Sequence, residues 1–130
     1  MWTYEKKLQY PVKCKTTNPR LAKIIISQYG GPDGELAATL RYLNQRYTTP
    51  NNKTKALLTD IGTEELAHME MVAAMVYQLM KDATPQQIKD AGMDTYYVDR
   101  GKDLFYVDAN GNPWTAAYIA AKGDPIANFT

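Results

Sequence analysis

TKALLTDIGTEELAHMEMVAAMVYQLMK, residues 54–81, decides the reading of this chain. It is rich in Ala, Leu, Met and Glu, the residues that lose least on entering a helix. Leu58, Ile61, Glu65, His68, Val72, Met75 and Leu79 recur at steps of three and four, which places all seven on one stripe of a helix. That stripe is apolar except at Glu65 and His68, which stand three apart and therefore point the same way, toward the interior. A buried carboxylate without a partner is costly. Glu64 and Glu70 fall off the stripe and are expected to be solvated. Met69, Met71, Met75 and Met80 read as packing material.

Upstream, YTTPNNKT (47–54) separates this helix from an earlier one, because Thr49 precedes Pro50 and Asn and Thr cluster around it. The earlier helix starts well at Asn18, whose side chain can cap free N–H groups, followed by Pro19 at the first helical position. Gly30, Gly31, Pro32 and Gly34 interrupt it, with Asp33 as a possible new cap. Leu21, Ile24, Gln28, Gly31, Glu35, Ala38, Tyr42 and Gln45 nevertheless step by three and four through the interruption. The spacing predicts one helix, 19–47, bent near Pro32, with Glu35 on its inward face between the small residues Gly31 and Ala38.

Two buried acids and an imidazole thus converge. Carboxylates and imidazole suit manganese or iron, and the charge of a cation offsets the buried acids. One Glu from one helix and Glu-x-x-His from another is half of the donor set of di-metal carboxylate bundles. Glu-x-x-His alone is a weak motif, and a single helical His is more often a hydrogen-bonded structural residue. It is Glu35 on the matching stripe that strengthens it. Tyr42, two turns after Glu35, is either a core tyrosine or a hydrogen-bond donor near a metal ligand.

The remainder is less regular. Residues 1–17 form an extended arm containing Pro11, expected to pack on a neighbour or on its own bundle. Residues 18–82 form the two-helix ligand-bearing unit, and 83–130 a short helix with an irregular tail. Thr84, Pro85 and Gln87 make a capping-box start for a helix that stops at Gly92. Tyr96–Val98 and Leu104–Val107 are expected as short strands around a turn, with a further turn at Asn110-Gly111.

With 45% apolar and 22% charged residues, and 15 Lys plus Arg against 14 Asp plus Glu, the chain has a globular composition and no basic patch for nucleic acid. No segment has the length of a signal peptide or membrane helix, so a soluble, non-secreted protein is expected. Cys14 is alone and cannot form an internal disulfide. The Asn-x-Thr triplets at Asn52 and Asn128 are read as chance matches under that expectation.

KLQYPV (7–12), NPRLAKIIISQYGGPDGELAATLRYLNQRY (18–47), LLTDIGTEELAHMEMVAAMVYQL (57–79) and AYIAAKGDPIAN (117–128) together resemble the manganese catalase family, most closely its spore-coat branch. The similarity covers the N-terminal half of that family, in order, over essentially all 130 residues. It implies a mainly α, ferritin-like half-bundle of two long antiparallel helices, with an irregular C-terminal segment and possible short strands. It further implies that Glu35 is a terminal manganese ligand, Glu65 the carboxylate bridging two ions and His68 an imidazole ligand. Tyr42 then matches an outer-sphere tyrosine. The implied reaction is disproportionation of hydrogen peroxide without haem. Some members bind calcium at an acidic pair early in the second helix, where this chain has Asp60 at one position and Ala56 at the other.

The resemblance leaves half of the donor set to be supplied from elsewhere: by a second copy in a homo-oligomer, with the arm and the segment after Asp94 reaching across, or by another chain. The alternatives are a catalytically inactive spore-coat or assembly protein, which the 10 tyrosines would suit, or a ferritin-like iron-binding protein. The resemblance places the chain in the mother-cell cytoplasm or the spore coat.

Overall fold

A computed structural model describes residues 3–30, 34–94, 97–98 and 103–104. Its elements are α1 (Pro19–Tyr29), α2 (Glu35–Gln45), α3 (Asn52–Met80), α4 (Pro85–Asp90), β1 (Tyr97–Val98) and β2 (Asp103–Leu104). At 29 residues, α3 is about 43 Å long. It is the wall on which the rest is laid.

Both shorter helices pack on α3 and run antiparallel to it. At the start of α1 the Asn18 N–H donates to the Leu79 carbonyl near the end of α3, at 3.0 Å. At the far end of α2, Leu43 abuts Gly62 of α3. The main apolar cluster joins Ala22 and Ile26 of α1 to Val76, Leu79 and Met80 of α3 and to Met93 beyond α4, with Cys14, Ile25, Ile88 and Ala91 packed around it. Ala37 and Leu58 are buried toward the other end.

The helix ends obey the capping chemistry of their sequences. Asn18 accepts from Leu21 N at 3.1 Å and Asn51 accepts from Thr54 N at 2.9 Å. Thr84 and Gln87 close a reciprocal capping box. After α4, Gly92 takes φ 70°, and Met93 N donates to Ile88 O while Gly92 N donates to Lys89 O, both at 2.9 Å. This is a Schellman termination, and it turns Met93 into the core, where it is 0% exposed.

A single bent helix over 19–47 is not what forms. The chain leaves helical geometry at Gly30, with φ −144° and ψ −166°, and re-enters it after Gly34, with φ −90° and ψ 176°. The two glycines touch: a Cβ on Gly34 would stand 2.5 Å from the Gly30 carbonyl oxygen. So close an approach of backbone to backbone needs glycine, and it separates two helices whose faces are set independently. Leu21 and Ile24, expected inward, are accordingly 40% and 68% exposed, and α1 buries Ala22 and Ile26 instead. Gln45 is buried as expected. Gly31, Pro32 and Asp33 lie outside the described residues.

The arm lies along its own α3. The Gln78 amide spans it, accepting from Cys14 N at 2.7 Å and donating to Val12 O at 2.8 Å. Further along, Gln9 donates to Glu64 and the Tyr4 hydroxyl to Glu70. Glu64 and Glu70 therefore hold the arm as well as meeting solvent. β1 and β2 pair antiparallel, Tyr97 with Leu104 and Val98 with Asp103, within the region expected for a hairpin. Tyr96 and residues 105–107 of the expected strands, the Asn110-Gly111 turn and the 117–128 segment lie outside the described residues. Among those described, no helix is long and apolar enough to cross a membrane.

Two substitutions test this framework. An alanine Cβ at Gly62 would stand 2.8 Å from Leu43 Cγ and Cδ2 and 3.3 Å from the Leu43 backbone nitrogen. The overpacking penalty of about 1–3 kcal/mol outweighs the helix-propensity gain of about 1 kcal/mol. Gly62→Ala is therefore expected to lower stability by roughly 1 kcal/mol in urea titrations, where propensity alone would raise it. Gln78→Ala removes both bonds to the arm and is expected to make the first 14 residues cleavable by protease, with a stability loss of about 1–2 kcal/mol.

Candidate metal centre

Glu35 is the first residue of α2, directly after the Gly30–Gly34 break. Glu65 and His68 lie near the middle of α3, one turn apart on one face. The break thus delivers Glu35 to the middle of the long helix. One ligand atom from each of the three residues falls within a mutual distance of 4.8 Å. Sequence spacing had predicted this trio, and the structure brings it together.

Glu65 occupies the centre of the group. Its Oε2 lies 2.9 Å from His68 Nδ1, within hydrogen-bond distance, and the Glu35 carboxyl stands close enough to feel both its charge and a hydrogen bond. The Glu65 side chain is 16% exposed and that of His68 37%, so the group is shielded but open on the histidine side.

Two carboxylates in hydrogen-bond contact cannot both remain ionised at low cost. The Glu35 carboxyl is pushed up from 4.5 to about 7, first by burial, then by its hydrogen bond to Glu65 and the Glu65 charge; His68 opposes the shift. The start of a helix normally favours a negative charge. Here burial and the facing acid outweigh it, and near neutrality the pair holds a proton. A cation in place of that proton would allow both carboxylates to ionise. The donor set of two carboxylates and an imidazole matches manganese, iron or zinc, ions that accept oxygen and nitrogen together.

Tyr42 is half-buried two turns further along α2. Among the described residues no hydrogen bond joins its hydroxyl to the trio. Thr39 was not singled out by the sequence reading, which took Ala38 as the inward residue. The structure buries Thr39 to 3% exposure and leaves its hydroxyl without a hydrogen-bond partner. Its signal in the sequence is a polar residue four positions after Glu35, in the same row of the helix. Asp60 is exposed and Ala56 offers no ligand atom.

The chain has recognisable relatives. The family model described as manganese containing catalase matches residues 1–130. Protein CotJC of Bacillus subtilis is 66% identical over 129 residues, which cover 99% of this chain and 68% of that protein. A probable manganese catalase of Clostridium acetobutylicum is 37% identical over 131 residues, covering 99% of this chain and 58% of the relative. The crystal structure of KatB, a manganese catalase from Anabaena PCC7120, superposes with a TM-score of 0.78 at 34% identity over 95% of this chain and 55% of that one. The chain therefore spans little more than half the length of the catalases it matches.

The raised Glu35 carboxyl gives the metal-free protein a defined pH dependence. A folded-state value above the unfolded one adds stability that is complete below about 4.5 and is lost as pH rises through about 7. Glu35→Gln keeps the neutral form at every pH. Urea titrations are expected to find the variant close to wild type at about pH 5 and more stable than wild type at about pH 8. Equal differences at both pH values would contradict the shared proton.

Proposed function

The chain belongs to the manganese-containing catalase family, and from that premise we propose that Glu35, Glu65 and His68 are half of a dimanganese centre disproportionating hydrogen peroxide to water and oxygen. The observation that carries this reading is the convergence of Glu35, Glu65 and His68, whose ligand atoms lie within 4.8 Å of one another, with Glu65 2.9 Å from His68. Glu65 would be the carboxylate shared between the two ions, Glu35 the terminal carboxylate and His68 the imidazole ligand. Tyr42 is an outer-sphere residue.

When bound, a pair of manganese ions supplies a two-electron reservoir, which lets two peroxide molecules become two waters and one dioxygen. The protein's own part is to hold the two carboxylates against each other, to give up the proton between them when the metals enter, and to leave a small opening beside His68. In di-metal carboxylate bundles two helices give one Glu each and two others give Glu-x-x-His. The trio is one half of that set, and further helices, in a partner chain or in the same polypeptide, would supply the other half. Leu21, Ile24, Leu40 and Leu57, between 40% and 68% exposed, offer apolar surface for such association.

The 66% identity to Protein CotJC supports a place in the spore-coat branch, and the mother-cell cytoplasm or spore coat is the proposed location. A second reading, an assembly protein without turnover, is favoured by four exposed tyrosines, Tyr4, Tyr10, Tyr47 and Tyr77, since this residue type is enriched at interfaces.

Metal analysis, a peroxide-decay assay and light scattering on the purified chain test these readings together. The expected result is bound manganese, peroxide loss and an oligomer, with His68→Ala reducing bound manganese by about tenfold or more and abolishing peroxide loss. Manganese without turnover would leave the assembly reading. Bound iron with ferroxidase activity would replace manganese with the ferritin-like alternative, and a stable metal-free monomer would reject the centre.

A further inference from the structure

Glu35, Thr39 and Leu43 form one row along α2, each a turn after the last, with successive Cβ atoms about 5–6 Å apart. Both ends of the row touch α3. Glu35 is hydrogen-bonded to Glu65, and Leu43 abuts Gly62, one turn before Glu65. Thr39, between them and 3% exposed, therefore lies in the same seam. The Cα–Cβ bonds of a helix tilt toward its N-terminus, so Thr39 leans toward the Glu35 carboxylate and away from Leu43.

A buried hydroxyl without a partner destabilises a fold. The usual outlet for a helical threonine is the carbonyl four residues earlier, here that of Glu35. That bond is not made, and among the described residues the Thr39 hydroxyl has no other partner. The Glu35 carboxyl, one turn earlier in the row, stands against Glu65, which in turn lies 2.9 Å from His68.

We propose that Thr39 is a positioning residue of the metal centre, whose hydroxyl donates a hydrogen bond to a carboxylate of the Glu35–Glu65 pair once a cation has entered between them. The inference rests on the metal-centre reading of the trio. Two ionised carboxylates present more lone pairs than a cation and one imidazole hydrogen bond use. The hydroxyl takes one of these and fixes the orientation of the carboxylate that carries it, as hydrogen bonds behind metal ligands generally do. The metal-free chain then carries the cost of an unpartnered hydroxyl, and the loaded chain recovers it.

Thr39→Val, which keeps the shape and removes the hydroxyl, separates this role from simple packing. Divalent manganese affinity is measured by titration, and thermal unfolding is followed with and without the metal. Thr39→Val is expected to weaken manganese binding by about tenfold while raising the unfolding midpoint of the metal-free protein by about 2–5 °C. Thr39→Ser restores the affinity to within about threefold of wild type. Wild-type affinity in Thr39→Val overturns the inference alone, as does an equal loss of stability in metal-free and loaded forms, the mark of a packing role. A wild-type chain that binds no manganese overturns the metal-centre reading and this inference with it.

Discussion

Glu35 and Glu65 meet across the seam between α2 and α3, and the consequences of placing two carboxylates there govern the rest of the molecule. Neither burial nor proximity favours two negative charges, so the Glu35 carboxyl rises to about 7. An apolar pair at these positions would pack the same seam without that penalty. Two acids and an adjacent imidazole make a donor set that fits a cation, whose charge would offset the cost the pair carries in the metal-free chain.

The break between α1 and α2 serves that contact. A continuous helix would carry Glu35 in its interior, with its direction tied to the phase of every residue from Pro19 onward. The close approach of Gly34 to Gly30 uncouples the two. α1 is then free to seal the far end of α3 with Ala22 and Ile26, while α2 aims Glu35, Thr39 and Leu43 at the middle of α3. Gly62 lets the helices approach closely one turn before Glu65. The C-terminal end and the middle of α3 thus differ: a packed apolar cluster around Val76, Leu79 and Met80 gives rigidity at the end, and the half-buried middle carries Glu65 and His68.

The arm adds a third layer. Gln78 binds its backbone as a neighbouring strand would, with one donor and one acceptor, and Glu64 and Glu70 on the outer side of α3 receive Gln9 and Tyr4. Glu64, one position from Glu65, and Glu70, five positions on, thereby act in a different setting from it. Direction around the helix, set by a 100° step per residue, decides which carboxylate holds the arm and which faces the cluster.

The sequence by itself determined α3, its stripe and the trio. A long periodic run of good helix formers leaves no competing structure, and Glu-x-x-His at one turn's spacing shares a face whatever surrounds it. Caps at Asn18 and Thr84 and the stop at Gly92 were equally legible, because capping is a local bond between residues two to four apart. Only the tertiary structure decided that residues 19–47 make two helices, since an unbroken three-and-four spacing cannot register that the Gly30 and Gly34 backbones touch. The inward side of α1, the burial of Thr39 in place of Ala38, and the engagement of Glu64 and Glu70 by the arm follow from the same cause. Each depends on how one helix is rotated against another, and that rotation is set by contacts between residues far apart in the chain, which no local pattern encodes.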